Sequence, residues 1–312
     1  MNVFMTESVT VSESTRSSSI QTSLPCLHWQ WRGFDLCYTV LGEGQPLLLL
    51  HGFGATYAHW RKNIPALAAQ GYRVYAIDLL GFGFSEKPAL DYSMELWQEI
   101  LHDFWQDQIK QPMVVVGNSI GALLSLMVLA KYPDIASGGI LLNVAGGLNH
   151  RPDELNLPLR TIMGLFTKLV QSPLIGPALF NQVRQKHRIR NTLKQVYGNP
   201  EAITDELVDI IYEPACDPKA QKVFASILSA PPGPRVSDLL PHIQQPLLVL
   251  WGDADPWTPI QGSGVFQEWA AGMKEPNIKI VPIPGAGHCP HDECPDVVNP
   301  LMTDWLKTLV KS

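Results

Sequence analysis

The 312-residue chain has no excess of positive charge, no paired cysteine motif and no apolar stretch long enough to cross a bilayer. Each absence removes a class of function. Lys and Arg total 23 against 29 Asp and Glu, a formal charge of −6, so there is no broad basic field to attract a phosphate backbone. The five cysteines, Cys26, Cys37, Cys216, Cys289 and Cys294, are scattered and odd in number. They include no CxxC pair and no metal-ligand spacing, and fit free thiols in a reducing compartment. Cys289 and Cys294 flank His291 and Asp292, but a Cys-x-His fragment among prolines is a poor metal cage. The longest apolar run, Ile120 to Ala130, falls well short of the ~20 residues a spanning helix needs. The first two dozen residues are rich in Ser and Thr and lack an apolar core, which excludes a secretory signal. Residues 1–24 read as a disordered tail. A transit peptide is opposed by Glu7 and Glu13 standing against a single base, Arg16.

Apolar residues are plentiful, at 46%, enough for one large continuous core. Short apolar runs alternate with longer helical patterns, the signature of a mainly parallel sheet covered by helices on both faces. Eight strands are expected: His28 to Trp31, Leu36 to Val40, Leu47 to Leu50, Arg73 to Ile77, Met113 to Val116, Gly139 to Leu142, Leu247 to Leu250 and Ile278 to Ile283. The two early strands precede the alternation and suggest an antiparallel edge. After Asn143 the alternation stops for about a hundred residues, helical and rich in proline. The expectation is an α/β core over 25–143 and 235–312, with a helical cap inserted over 144–234. Within the cap Leu159, Ile162, Met163, Phe166, Leu169 and Val170 recur at helical spacing. Most should pack the cap onto the core, with a minority, Phe166 and Leu169 among them, lining a pocket.

The chemistry is concentrated in four short segments. Met113-Val-Val-Val-Gly117-Asn118-Ser119-Ile120-Gly121 places a serine between two glycines, after a strand and before an apolar helix. That context makes a nucleophile elbow, with the serine strained and exposed where neighbouring backbone passes close. Serine is a weak nucleophile and needs a base, which in turn needs a group to fix its tautomer. Of nine histidines, His288 in Gly285-Ala-Gly-His288 follows the last strand and can swing over the elbow. His291 is its rival, and His51, opening His51-Gly52-Phe53-Gly54, better suits the organisation of an oxyanion loop. The acid should lie between serine and histidine in chain order. Asp253 and Asp255 compete in the loop after Leu247–Leu250, and Asp255 is preferred as the deeper of the two. Oxyanion donors would be the backbone amides of Phe53 and Ile120. Gly52, His51 and Asn118 complete the expected surroundings of the substrate.

These segments resemble the α/β-hydrolase superfamily, and within it the chlorophyll dephytylase and pheophytinase group of plants and cyanobacteria. The resemblance runs through His51 to Arg61, Asp78-Leu-Leu-Gly-Phe-Gly-Phe-Ser85-Glu-Lys-Pro88, the elbow, and Gly287-His-Cys-Pro-His-Asp-Glu293. It continues into the cap at Leu141 to Asn149, Ala178 to Asn181, Val196 to Asn199 and Ser226 to Pro234. Ile120 departs from the Leu or Val usual after the serine, a change that leaves the backbone amide in place. The resemblance implies hydrolysis of the phytyl ester of chlorophyll or a related pigment to a chlorophyllide-type product and phytol. It further implies no cofactor and no protein-bound metal, and peripheral contact with a thylakoid membrane or pigment proteins. The location would be cytoplasmic or thylakoid-associated, or chloroplast in a plant. Rival expectations are a carboxylesterase or carbon–carbon bond hydrolase of the same fold, or a triad-bearing ligand receptor. Nucleic acid is not an expected partner.

Overall fold

The computed structural model describes residues 24–148, 157–272 and 277–309; the side chains of 157–160, Ile162, Met163 and Phe166 fall outside the described part. Eight strands form one sheet: β1 (Leu27–Trp31), β2 (Phe34–Leu41), β3 (Gln45–Leu50), β4 (Tyr72–Ile77), β5 (Met113–Asn118), β6 (Ala136–Leu142), β7 (Leu247–Gly252) and β8 (Ile278–Ile283). Their order is β1-β2-β4-β3-β5-β6-β7-β8. β1 and β2 pair antiparallel and β2 meets β4 antiparallel, while every other pairing is parallel. The fold is thus the eight-stranded, mainly parallel α/β-hydrolase sheet with an antiparallel edge.

The central strands bury every residue from Pro46 to Leu50, Met113 to Asn118 and Leu247 to Gly252. Strands covered on both faces must be apolar throughout, which is why they read as runs. Alternate residues feed two cores. Leu48, Leu50, Val115, Leu247 and Val249 face one, and Leu47, Leu49, Val114, Val116, Leu248 and Leu250 the other. The helices are α1 (Ile64–Ala68), α2 (Met94–Phe104) and α3 (Ile120–Lys131), then α4 (Leu157–Gln171), α5 (Gly176–Val183), α6 (Lys186–Val196), α7 (Asp205–Tyr212), α8 (Ala220–Ser229) and α9 (Val236–Leu239), and finally α10 (Gly264–Ala271), α11 (Pro290–Glu293) and α12 (Pro295–Leu309). α2, α3 and α10 supply the first core, and α1 and α12 the second. Helix α3 is buried along ten consecutive positions, Ile120 to Leu129. The apolar run at 120–130 is therefore a core helix.

α4 through α9 are inserted between β6 and β7. The part around α6 and α7 has its own small core of Ile189, Leu193, Val196, Tyr197, Ile203 and Leu207, which also takes in Cys289. One cysteine expectation is corrected. Cys26 and Cys37 are joined as a disulfide, their Cα atoms 5.6 Å apart, while Cys216, Cys289 and Cys294 are free. The antiparallel pairing of β1 with β2 brings the two together, a proximity that their spacing in the chain does not show. Among the described residues, no helix is long and apolar enough to cross a membrane.

Candidate active site

The carboxyl ends of β3, β5, β6, β7 and β8 converge, which is where open α/β sheets place ligands. Ser119 follows β5 with φ 58° and ψ −119°, a conformation that costs a non-glycine residue about 1–3 kcal/mol. Its surroundings hold it there. Its N–H donates to Leu142 O at 3.0 Å, and its carbonyl accepts from Ala122, Leu123 and Ala145. The flanking glycines are required by close approach. A Cβ on Gly117 would lie 2.2 Å from Gly121 O, and one on Gly121 would lie 2.3 Å from Leu50 O.

His288 sits in the loop after β8, 7% exposed. Its Nδ1 is 2.7 Å from Asp255 Oδ2, so Nδ1 carries the proton and Nε2 is left as the basic nitrogen. Asp255 is 3% exposed and fully partnered. Oδ2 also accepts from Asn143 Nδ2 at 2.8 Å and from the Thr258 hydroxyl, and Oδ1 accepts from the Trp257 amide at 2.8 Å. Burial raises the Asp255 carboxyl, but the bond and charge of His288, with Thr258 and the Trp257 amide, outweigh it and hold it below the ordinary value. Asp253, the rival, points elsewhere. Its Oδ1 accepts from Gly285 N at 2.7 Å and shapes the loop that leads to His288.

His51 is buried and does not line the cavity. Its Nε2 accepts from the Leu79 amide at 3.1 Å and its Nδ1 is 2.8 Å from Gly52 O, which fixes one neutral tautomer and pins the turn that carries Gly52 and Phe53. Burial pushes its pKa down to about 4. A Cβ on Gly52 would come within 3.3 Å of Ser119 Cβ, so glycine leaves room beside the serine. The amides of Phe53 and Ile120 donate to no other group among the described residues. Asn118 turns its side chain inward, Nδ2 donating to His288 O at 2.8 Å and to Leu142 O at 3.3 Å. It ties the serine strand to the histidine loop. His291 is fully buried, with its ring 4.1 Å from that of Trp60 and 4.7 Å from that of His59. That removes it as the alternative base.

Ser119 and His288 line one cavity of about 380 Å³ together with Gly52, Phe53 and Asn118. Its remaining wall is largely apolar: Phe82, then Phe180 and Val183 of α5, Ile189, Leu193 and Val196 of α6, Ile211 of α7, and Val223, Phe224 and Ile227 of α8. Here the helix expectation is corrected. Leu169 is half-buried on α4 and does not line this cavity, while the side chain of Phe166 lies outside the described residues. An apolar period reveals that a helix has a covered face but not what covers it, and α4 lies against α5 and α8.

Several residues of the site have no role assigned from the sequence. Asn143 follows β6 at φ 43° and bonds both Asp255 and the Gly252 amide. Glu293 accepts from Gly198, Asn199 and Gly287 at 2.7, 3.1 and 2.9 Å. Asp292 is buried behind the histidine loop against Arg61 at 2.9 Å, Lys62 at 3.1 Å and the Tyr197 hydroxyl at 3.0 Å.

Residues 47–301 match the family described as "Alpha/beta hydrolase family". The chain belongs to that family. It is a hydrolase of the α/β-hydrolase fold, and its relatives span several chemistries. It is 29% identical over 307 residues to the chloroplastic pheophytinase of Arabidopsis thaliana, covering 86% of this chain and 62% of the relative's length. It is 27% identical to a putative non-heme chloroperoxidase of Synechocystis sp., over 88% of this chain and 95% of that protein. Among solved structures, a serine hydrolase involved in carbazole degradation superposes with a TM-score of 0.72 at 23% identity, covering 91% of this chain and 99% of that one. That likeness concerns the fold.

Proposed function

We propose that this hydrolase cleaves the phytyl ester of chlorophyll or a related pigment, with Ser119 as nucleophile, His288 as base and Asp255 as its orienting acid. The observation that carries the chemistry is the 2.7 Å bond from His288 Nδ1 to Asp255, made beside a strained Ser119 that shares its cavity. Ser119 Oγ attacks the ester carbonyl as His288 Nε2 takes its proton, and the amides of Phe53 and Ile120 receive the oxyanion. His288 then protonates the departing phytol oxygen. An acyl-enzyme through the propionate of the macrocycle remains, which water activated by His288 hydrolyses.

Three observations support the substrate class. The similarity to pheophytinase extends over 86% of the chain. The motifs that carry the family resemblance continue into the β6–β7 insertion. The cavity wall built by that insertion is mainly apolar, with Arg184 and Thr192 as its polar members, and a branched hydrocarbon chain suits such a wall. In this reading α4 to α9 act as a cap. The competing reading is a carbon–carbon bond or ester hydrolase acting on a soluble substrate, favoured by 27% identity to a 2-hydroxymuconate semialdehyde hydrolase of a Pseudomonas species over 74% of this chain. Incubation with chlorophyll a and with pheophytin a in detergent, followed by chromatography, separates the two. Dephytylated product from wild type and none from Ser119→Ala is expected. Hydrolysis of short soluble esters with neither pigment cleaved would reject the phytyl-ester reading and leave the triad intact.

A further inference from the structure

The chain's charge is very unevenly spread. Residues 155–200 hold seven Lys and Arg, namely Arg160, Lys168, Arg184, Lys186, Arg188, Arg190 and Lys194, and no Asp or Glu, leaving 16 bases against all 29 acids elsewhere. A mildly acidic protein thus carries a basic segment that contains no acid. Two of its cations are neutralised by α7, Lys186 by Asp209 and Arg190 by Asp205. Lys168, Arg188 and Lys194 have no acidic partner among the described residues and stand on exposed positions. Arg188 lies one helical turn before Thr192, which lines the cavity, so both are on the same stripe of α6.

The same segment exposes apolar side chains that a free surface does not explain. Leu165 is 60% exposed, Leu174 87%, Ile175 45% and Val183 48%. Leu174 and Ile175 form the tip of the turn between α4 and α5. Val183 is also a wall of the cavity, as are the exposed Phe53 and Trp257, so these three mark its mouth. A basic segment that contains no acid of its own, with protruding leucine and isoleucine beside the opening of a mainly apolar cavity, has the composition of a monotopic membrane contact.

We infer that the α4–α6 surface docks on an anionic lipid bilayer, with Leu174 and Ile175 entering the headgroup boundary and Lys168, Arg188 and Lys194 facing the lipid charge. The cavity mouth is then presented to the membrane, so that a lipid-borne substrate reaches Ser119 without crossing water. The purpose of docking rests on the pigment-ester reading above, whereas the docking itself requires no catalysis. Each cation beside such a surface contributes about fivefold to binding, and salt screens it.

The test is co-sedimentation of the full chain with vesicles of phosphatidylcholine alone, and of phosphatidylcholine with phosphatidylglycerol, at low and high salt. Binding should require phosphatidylglycerol and weaken at high salt. Replacing Lys168, Arg188 and Lys194 together by Glu should weaken it by about a hundredfold or more, and Leu174→Glu should weaken it independently. Both variants should hydrolyse a short soluble ester at the wild-type rate, which confirms that they fold and separates a docking failure from a failure of the triad. Binding equal on neutral and anionic vesicles, or unaltered by charge reversal, overturns the inference. So does absence of vesicle binding, and a concentration-dependent dimer lost in Leu174→Glu would then assign the surface to a second copy of the chain.

Discussion

Asn in place of Asp255 exchanges one oxygen for an NH₂ group at nearly unchanged volume, which makes it the sharpest probe of the site. In the folded protein Oδ2 faces three donors, His288 Nδ1, Asn143 Nδ2 and the Thr258 hydroxyl, and Oδ1 faces the Trp257 amide. An amide cannot satisfy all four. If its oxygen takes the three donors, its NH₂ meets the Trp257 N–H. If it is turned the other way, it donates to His288 and forces the proton onto Nε2, the nitrogen that must accept one from Ser119. The charge is lost in either orientation. Two unit charges about 4 Å apart at an effective dielectric constant near 20 interact by about 4 kcal/mol, or about three decades in rate. Tautomer misplacement adds to this, so kcat/KM should fall by about 10³ to 10⁴ with a soluble chromogenic ester. Asp253→Asn keeps an oxygen that can accept from the Gly285 amide, the one bond this side chain makes to the loop, and should cost less than tenfold. If the two variants ranked the other way, with both still folded by circular dichroism, Asp255 could not be the acid.

The strands were legible because burial on both faces leaves only apolar residues, and the expected and observed ranges differ mostly at their ends. The largest difference is at β6, which begins at Ala136 rather than Gly139. Gly139 opens the expected strand and Gly138 falls outside it, yet each lies against side chains that a larger residue would displace, Trp305 and Leu309 at Gly138 and Leu129 at Gly139. Ser119 and His288 were legible for a local reason: the steric demands on each loop are written in its own glycines. Asn143 and Thr258 were not, because their parts depend on β6 lying beside β7, a pairing between segments a hundred residues apart. The preference for Asp255 over Asp253 rested on depth in the loop, and the geometry gives the two carboxylates separate partners. The wall of the cavity was misplaced onto Leu169 because helical spacing marks an apolar face without naming its neighbour.

His288→Ala should abolish turnover while leaving the melting temperature nearly unchanged, whereas His291→Ala, emptying a fully buried site against Trp60, should lower stability by about 2–4 kcal/mol with kcat within a few-fold; activity and melting curves on the same preparations decide it. Burial, against its bonds from the Tyr57 and Phe84 amides, pushes Asp78 up to about 7. The folded state therefore keeps a proton that the unfolded chain releases, and this group's contribution to stability falls as pH rises from about 4 through 7. The melting-temperature difference between wild type and Asp78→Asn should shift against wild type by a few degrees between pH 6 and 8, and a pH-independent difference would refute the assignment. Glu293 offers the test of how the inserted helices and the base are joined. Its two oxygens bind the Gly198 and Asn199 amides at the end of α6 and the Gly287 amide next to His288, while His288 N donates to Val196 O at 2.7 Å. Gln keeps one acceptor and turns a donor toward a donor, which costs about 1–3 kcal/mol at a buried charged site. If that clamp sets the position of the imidazole, Glu293→Gln should lower kcat ten- to a hundredfold, with KM for a short ester little changed and Glu293→Ala more severe. A lowered melting temperature with wild-type kcat in both variants would show that the clamp holds the helices alone and leaves His288 to be positioned by Asp255 and Asn118.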